Sequence, residues 1–576
     1  MFLGVVIAPL IQSTVIEKST IPFSNSKTLY VGGDGPGNYT RIQDAVDDAG
    51  DGDTVFVFDN SSPYYENVVV DKSINLIGKD RNTTVVDGGG FDSVIEVSAD
   101  NVYVEGFTVT NCMHDLSEAG INIFTDWNTV KNNIIMENQR TGIRLSGSNH
   151  NLIENNTLKD NILYHIFLRS QSNNNTIRNN TLTQSDDWSY ACDGIWLSHS
   201  SNSFIESNDI TGIKSGVGIS LYEASSYNVV NKNIIHDNSG EDQSIQIYGH
   251  SDFNLISNNE IRCNNGTGLM MFFSQGNEII GNMIDSNPRQ GIGLGDCRYN
   301  NIIKFNNISS TKRGIGIEMY SSKNIVESNN LTNNTYGIYL SGTDLLGFVP
   351  NNVITKNNIV ENDYGIYITI SNYYGYSNDS LIYHNNFINN SQNAFDKCNN
   401  SWDNGYPSCG NYWDDYNGTD NDGDSIGDTP YPIPGGNNID MYPLMELWGG
   451  NQPPDAPSID GPTSGTAGVS YDYTFVSTDP DGTLVWYYID WGDNTSSDWI
   501  GPFSSGKIVT FNHTWSKQGI YIIQCKAKDV YGEEGSWGTL EVTMPKNKVS
   551  KKPLILQLSE RFINLFSMLK ELLYFK

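Results

Sequence analysis

The sequence predicts an all-β protein, a parallel β-helix solenoid followed by a smaller β-sandwich. Three observations carry this. A phrase of about two dozen residues recurs from about residue 120: G-I-x-[IL], polar residues, N-x-[IV]-[IV], then N-N-x-[IL] and a turn. Charged residues are only 17% of the 576, and polarity comes instead from Asn, Ser, Thr and Gly, which suit turns and strands rather than long helices. A Pro/Gly-rich stretch, NQPPDAPSIDGP, separates the repeats from a region of alternating strands.

In chain order, residues 1–28 open with MFLGVVIAPLI, an apolar run with no Lys or Arg before Lys18. It reads as a signal-like segment lacking its basic flank; a buried first strand is the other reading. Frequent N-x-[ST] sequons, such as Asn38, Asn82, Asn265 and Asn417, favour a secreted chain. The solenoid is expected over 29–447. Its start, TRIQDAVDDA, is a short amphipathic helix followed by strands at Val55–Phe58, Val68–Val70 and Ile74–Ile77. A terminal helix covers the first rung against end-to-end strand pairing.

Each repeat holds three short alternations separated by turns, the period-2 pattern of strands. Ile121, Ile143, Ile166, Ile195, Ile219, Ile245, Leu269, Ile292, Ile315, Ile338 and Ile366 mark successive units. Three strands in so short a coil make a rung, and stacked rungs place Ile on Ile in one long core. The pairs Asn155–Asn156, Asn179–Asn180, Asn258–Asn259, Asn306–Asn307, Asn329–Asn330, Asn357–Asn358 and Asn385–Asn386 are expected at one phase, passing hydrogen bonds between rungs at a turn.

The repeats end in GNYWDDYNGTDNDGDSIGDTPYPI, which reads as an Asp-rich cap. Asp420, Asp422, Asp424 and Asp428 fall at positions 1, 3, 5 and 9 of a Gly-rich loop. Hard cations need several oxygen ligands, so Ca²⁺ is the expected cofactor; a solvated acidic loop is the bland reading. Cys398 and Cys409 are close enough in sequence to bridge, while the remaining cysteines read as small core residues. After the linker at 448–460, residues 461–545 alternate as a sandwich, with Trp491 and Trp515 expected in its core and His513 expected to be structural. The tail, 546–576, places Lys546, Lys548, Lys551 and Lys552 before an amphipathic helix. That pattern suits an anionic membrane surface, an envelope partner or its own domain.

The T-R-I-Q-D-A-V opening, the G-I-x-L…N-N repeats and the closing Asp-rich motif through DMYPLM resemble the right-handed parallel β-helix proteins of pectin-lyase-like fold. Within these, the chain looks like the NosD-type and carbohydrate-binding and sugar-hydrolysis (CASH) repeat proteins, common on archaeal surfaces. Y-x-I-D-W-G-D at Tyr487–Asp493 resembles an immunoglobulin-like PKD domain, a spacer or adhesion module in that family. The resemblance implies a secreted cell-surface protein that binds glycans or is presented against them.

A net charge of −32 repels phosphate backbones, so nucleic acid is not an expected partner. A polysaccharide or surface glycan is expected on the outer face of a sheet. There Phe167, Trp196, Tyr222, Tyr248, Phe272, Tyr339 and Tyr367 would align, with Phe124, Arg144 and Arg169 on the same face. Aromatic residues also favour strands for their own sake. If the chain is an enzyme, a polysaccharide lyase or glycoside hydrolase, the richest cluster is Asp186, Asp187 and Asp193 with His199 beside them, Arg169 one rung before and Glu223 one rung after. Paired carboxylates suit glycoside cleavage, and an arginine suits a uronate. These acids also serve as ordinary turn residues. A copper-accessory role follows from the NosD resemblance alone, since eight scattered His form no ligand motif.

Overall fold

A computed structural model of the chain describes residues 26–544 apart from 114, 116, 188–189, 241–242, 343–349, 371–376, 450–451, 481–482 and 530–531. The tail at 546–576 and most of the signal-like segment lie outside the described residues. The chain divides into two compact units after Gly449.

The first unit is a three-sided coil whose strands stack into three long parallel sheets. Sheet A runs from Thr28–Val31 to Leu381–Tyr383, sheet B from Tyr64–Tyr65 to Tyr412–Trp413, and sheet C from Val68–Val70 to Gln392–Asp396. One turn visits all three, for example Leu152–Glu154, Thr157–Lys159 and Leu163–Arg169. The repeat markers stack as expected: Ile121 pairs with Ile143, then Ile166, Ile195, Ile219, Ile245, Leu269, Ile292, Ile315, Ile338 and Ile366. All are fully buried in one core.

Glycine precedes nine of the eleven markers, His165 and Ser244 standing at the other two, and most of these glycines lie close against the backbone of the next rung. A Cβ on Gly314 would stand 2.5 Å from the Gly337 carbonyl oxygen, and one on Gly337 would stand 2.6 Å from that of Gly365.

Buried asparagines run along the corners between sheets. At the A–B corner, Asn306 donates its backbone N–H to Asn329 Oδ1 at 3.0 Å and its amide to the same atom at 2.9 Å. Its amide also reaches the Ile279 carbonyl at 2.9 Å. Asn133, Asn156, Asn180, Asn208, Asn233, Asn259 and Asn282 precede it in the same ladder; Asn357, Asn385 and Asn411 follow. Similar ladders occupy the other corners, through Asn128–Asn151–Asn175 and Asn238–Asn264–Asn287. The expected single phase for the Asn pairs is corrected. The ladder residue is second in Asn155–Asn156 and Asn258–Asn259 but first in Asn306–Asn307 and Asn357–Asn358. From Asn133 to Asn385 the constant feature is a left-handed residue just before the ladder asparagine, whether Asn155 (φ 54°), Phe305 (φ 58°) or Lys356 (φ 58°).

The N-terminal helix is Ile42–Asp48, with Ile42, Ala45 and Val46 turned inward over the first rung. Its free N–H groups are met by Glu66, whose Oε1 and Oε2 accept from Ile42 at 2.8 Å and Gln43 at 3.1 Å.

The second unit packs the sheet of Ser458–Asp460, Ser470–Val476 and Val509–Thr514 against that of Val485–Asp490, Ile500–Phe503, Gly519–Lys528 and Gly538–Met544. Trp491 and Trp515 lie in its core. His513 stacks on Trp491 with ring centres 4.6 Å apart, and its Nε2 lies 3.0 Å from Asp493.

Candidate functional site

Sheet C has the longest rungs, so its outward face offers several side-chain columns rather than one. The middle column reads Asn122, Arg144, Phe167, Trp196, Ser220, Gln246, Met270, Gly293, Gly316, Tyr339, Tyr367 and Phe395. Two residues later along each strand, Tyr222, Tyr248 and Phe272 form a second column. The expected stripe is therefore real but shared between columns, and glycines divide it into two patches.

The first patch is a chain of ring contacts. Tyr164 stacks on Phe167 at 4.5 Å, Trp196 meets Tyr222 at 5.1 Å, Tyr222 stacks on Tyr248 at 5.2 Å and 7°, and Tyr248 meets Phe272 edge-on at 6.2 Å. The rings are half-buried, each covering part of the next and leaving a face to solvent. Beyond Phe272 the columns fall to Gly293, Gly295 and Gly316. Met270 lies over Gly293, Phe272 over Gly295, and Gln290 over Gly293 and Gly316. The second patch gathers Tyr336, Tyr339, Tyr364, Tyr367 and Phe395, with Tyr339 and Tyr367 stacked at 5.9 Å and 4° and Tyr367 and Phe395 at 4.9 Å. Arg313 lies 4.1 Å over Tyr339 and is ion-paired with Glu318.

At the N-terminal end of the first patch an open cleft of about 630 Å³ is lined by Arg140, Tyr164, Phe167, Arg169, Gln171 and His199, among others. Of the residues proposed for catalysis, Arg169 lines it. Asp193 is the register partner of Tyr164, and its Oδ1 accepts the Val217 N–H at 2.6 Å. Burial, then the nearby Asp193 charge, pushes the Tyr164 hydroxyl up. Asp186 and Asp187 sit on an exposed turn outside the cleft lining, where Lys214 donates to the Asp186 carbonyl. His199 lies 3.9 Å from Glu223, both exposed.

The cap closes the other end of the coil. Asp420, Asp422 and Asp424 bring one carboxylate oxygen each within 4.8 Å of one another, the one such group of potential metal ligands among the described residues. Asp428 does not join them; its Oδ2 accepts from the backbone and amide of Asn421 at 2.7 and 2.6 Å. Mutual repulsion, chiefly from Asp424, pushes the Asp422 carboxyl up, while backbone N–H groups, Gly423 first, pull Asp420 down. The expected Cys398–Cys409 bridge is not formed. Both are free thiols facing different neighbours, Cys398 accepting from the Ser377 N–H at 3.4 Å and Cys409 meeting the Pro407 carbonyl at 3.7 Å.

Residues 119–255 match the family model of a right-handed β-helix region. The fold of the first unit is a parallel β-helix. Within the β-helix, residues 243–418 also match the family described as the periplasmic copper-binding protein NosD. A cell surface glycoprotein of Methanothermus fervidus is 28% identical over 230 residues, 34% of this chain; the chain spans 38% of that relative's length. The PKD domain of an M14-like peptidase from a Thermoplasmatales archaeon is 56% identical over 17% of this chain and 99% of that domain, with a TM-score of 0.17. The mannuronan C-5 epimerase A-module of Azotobacter vinelandii is 13% identical over 62% of this chain and 92% of its own, with a TM-score of 0.31. With surface and periplasmic proteins as its relatives, the β-helix protein is assigned to the extracellular or cell-surface space. No helix among the described residues is long and apolar enough to cross a membrane.

Proposed function

We propose that the β-helix binds glycans on the outer face of sheet C, with the PKD-like sandwich as a spacer. The observation that carries this is the ring series from Tyr164 to Phe272, a half-exposed aromatic strip along the solenoid axis. Aromatic faces pack against the apolar faces of sugar rings, and rungs about 4.8 Å apart let a polymer cross several in register. The test is an array of neutral and acidic polysaccharides probed with the whole chain; absence of binding to every member refutes the reading.

A cleaving enzyme is the second reading, supported by Arg169 and His199 in one cleft with Asp193 on the adjoining rung. An arginine there would neutralise a uronate carboxylate, and Asp193 would move a proton. Release of new reducing ends by the native chain but not by Asp193→Ala supports it; no release by the native chain refutes it. Calcium is proposed for Asp420, Asp422 and Asp424, whose hard oxygen donors suit it better than copper. Contact with a membrane or envelope through the tail stays a proposal on residues outside those described.

A further inference from the structure

The cleft beside the first aromatic patch brings two arginines together. The chain has 66 acidic and 34 basic residues, and several of its arginines are held by a carboxylate. Arg178, Arg262, Arg298 and Arg313 are paired with Glu154, Glu260, Asp296 and Glu318. Arg140 and Arg169 share one cleft and, like Arg81 and Arg144, form no ion pair among the described residues. Arg169 makes one hydrogen bond, from Nε to Ser170 Oγ at 3.3 Å. Arg140 Nε is buried and has no partner. Arg144, one rung before Phe167, is buried outside the cleft lining and spends its guanidinium on the Ser117 carbonyl and Asn122 Oδ1. His199 lines the same cleft, and Tyr164 and Phe167 floor it as a stacked pair.

Unpaired guanidiniums beside a ring platform are complementary to one kind of sugar. The planar fork of Arg donates two parallel hydrogen bonds to a carboxylate or sulfate, while the rings take the apolar face of the pyranose. The second patch lacks an unpaired guanidinium: Glu318 already neutralises Arg313, which lies over Tyr339, and its other cation, Lys397 over Phe395, has no fork.

We propose that the Arg140–Arg169 cleft is an anionic subsite that selects a glycan carrying a carboxylate or sulfate and fixes that residue at the N-terminal end of the aromatic strip. This rests on the glycan-binding reading and adds its charge class and polarity. It also sets which end of a bound polymer carries the acid-dependent contact, since the other patch offers no unpaired arginine.

The test uses matched probes whose members differ only in charge: oligogalacturonate against its methyl ester, and a sulfated galactan fragment against its desulfated form. Each is titrated into the full chain at low and high salt, and into Arg169→Gln, Arg140→Gln and, as a control, Arg313→Gln. Expected is binding of at least one acidic probe, weakened about tenfold or more by neutralising the ligand, by Arg169→Gln or by Arg140→Gln, and unchanged by Arg313→Gln. Circular dichroism of each variant confirms that the fold is intact, and Arg169→Lys, which keeps charge but loses the fork, is expected to fall between. Equal binding of charged and neutral members, or binding unaffected by both arginine variants, overturns the subsite and leaves the glycan reading standing. Binding of no probe overturns the subsite and, when the wider array is also empty, the glycan reading with it.

Discussion

Asp440 takes the place of the next asparagine after Asn411 in the corner ladder. Its Oδ2 accepts the Asn411 backbone N–H at 2.8 Å, as Asn411 Oδ1 accepts that of Asn385 at 3.0 Å. The same oxygen takes the Trp413 indole N–H at 2.9 Å. A carboxylate ends the ladder because it only accepts: donors arrive from the rung below, and nothing above needs a donor in return. Asp396 does the same for Trp402, whose indole N–H it accepts at 3.0 Å.

That substitution of acid for amide makes the cap sensitive to pH. Burial pushes the Asp440 carboxyl from an ordinary 3.8 up to about 6, against the pull of the donors around it. The folded state therefore holds the proton more tightly than the unfolded one. The contribution is complete below about 3.8 and is lost as pH rises through about 6, on the order of 3 kcal/mol in all. Denaturant stability is expected to fall across that window more steeply for the native chain than for Asp440→Asn. The difference between the two chains removes the effect of pH on total charge, which they share.

Within the ladder, position decides cost. Asn306→Ala leaves the Asn282 N–H and amide without their acceptor and the Ile279 carbonyl without its donor, all buried. A loss of about 2–4 kcal/mol is expected by chemical denaturation. Asn307→Ala, one residue on and exposed, is expected to cost under about 0.5 kcal/mol.

The repeat glycines make a sharper contrast. Gly314→Ala drives a Cβ to 2.5 Å from the Gly337 carbonyl oxygen, and backbone must move to relieve it. Gly316→Ala meets the Gln290 amide oxygen at 2.7 Å, the end of a side chain that swings away. The first is expected to lower stability by about 2 kcal/mol or more and the second by under about 1 kcal/mol, read from paired thermal melts.

The cap loop is expected to melt higher with calcium present than with a chelator. Asp422→Asn and Asp424→Asn are expected to remove that difference. Asp428→Asn is expected to preserve most of it, because Asp428 holds Asn421 rather than joining the carboxylate group. A melting curve indifferent to calcium contradicts the metal proposal.

The coil was legible because its markers repeat: Ile121 to Ile366 announce the register with no knowledge of the turns between. The outward face was legible only where it follows the marker, as Trp196 follows Ile195. Tyr164, Tyr336 and Tyr364 stand at the start of their strands, where the phrase was read as turn, though the shared Y-G-I-Y at 336 and 364 carried the signal. Phe395 escaped because its marker position holds Ala394. Arg140 was invisible for a different reason: it belongs to the turn before its strand, and only the stacking of rungs carries it to Arg169. The Asn pairs misled because an adjacent Asn is common in this composition, whereas the ladder position is fixed by the corner. Sequence spacing allowed Cys398 and Cys409 to meet, but the loop turns the two thiols to different neighbours.

The central claim is that sugar lies on the ring series of sheet C, and corner rings elsewhere provide the control. Tyr227 and Phe253 also stack, at 5.3 Å, but at exposed left-handed corner positions rather than on the sheet face. The measurement is the affinity of the best array ligand for Trp196→Ala and Tyr248→Ala beside Tyr227→Ala and Phe253→Ala. Loss of about tenfold or more from each of the first two with none from the others is expected; equal loss from both pairs, or from neither, contradicts the account.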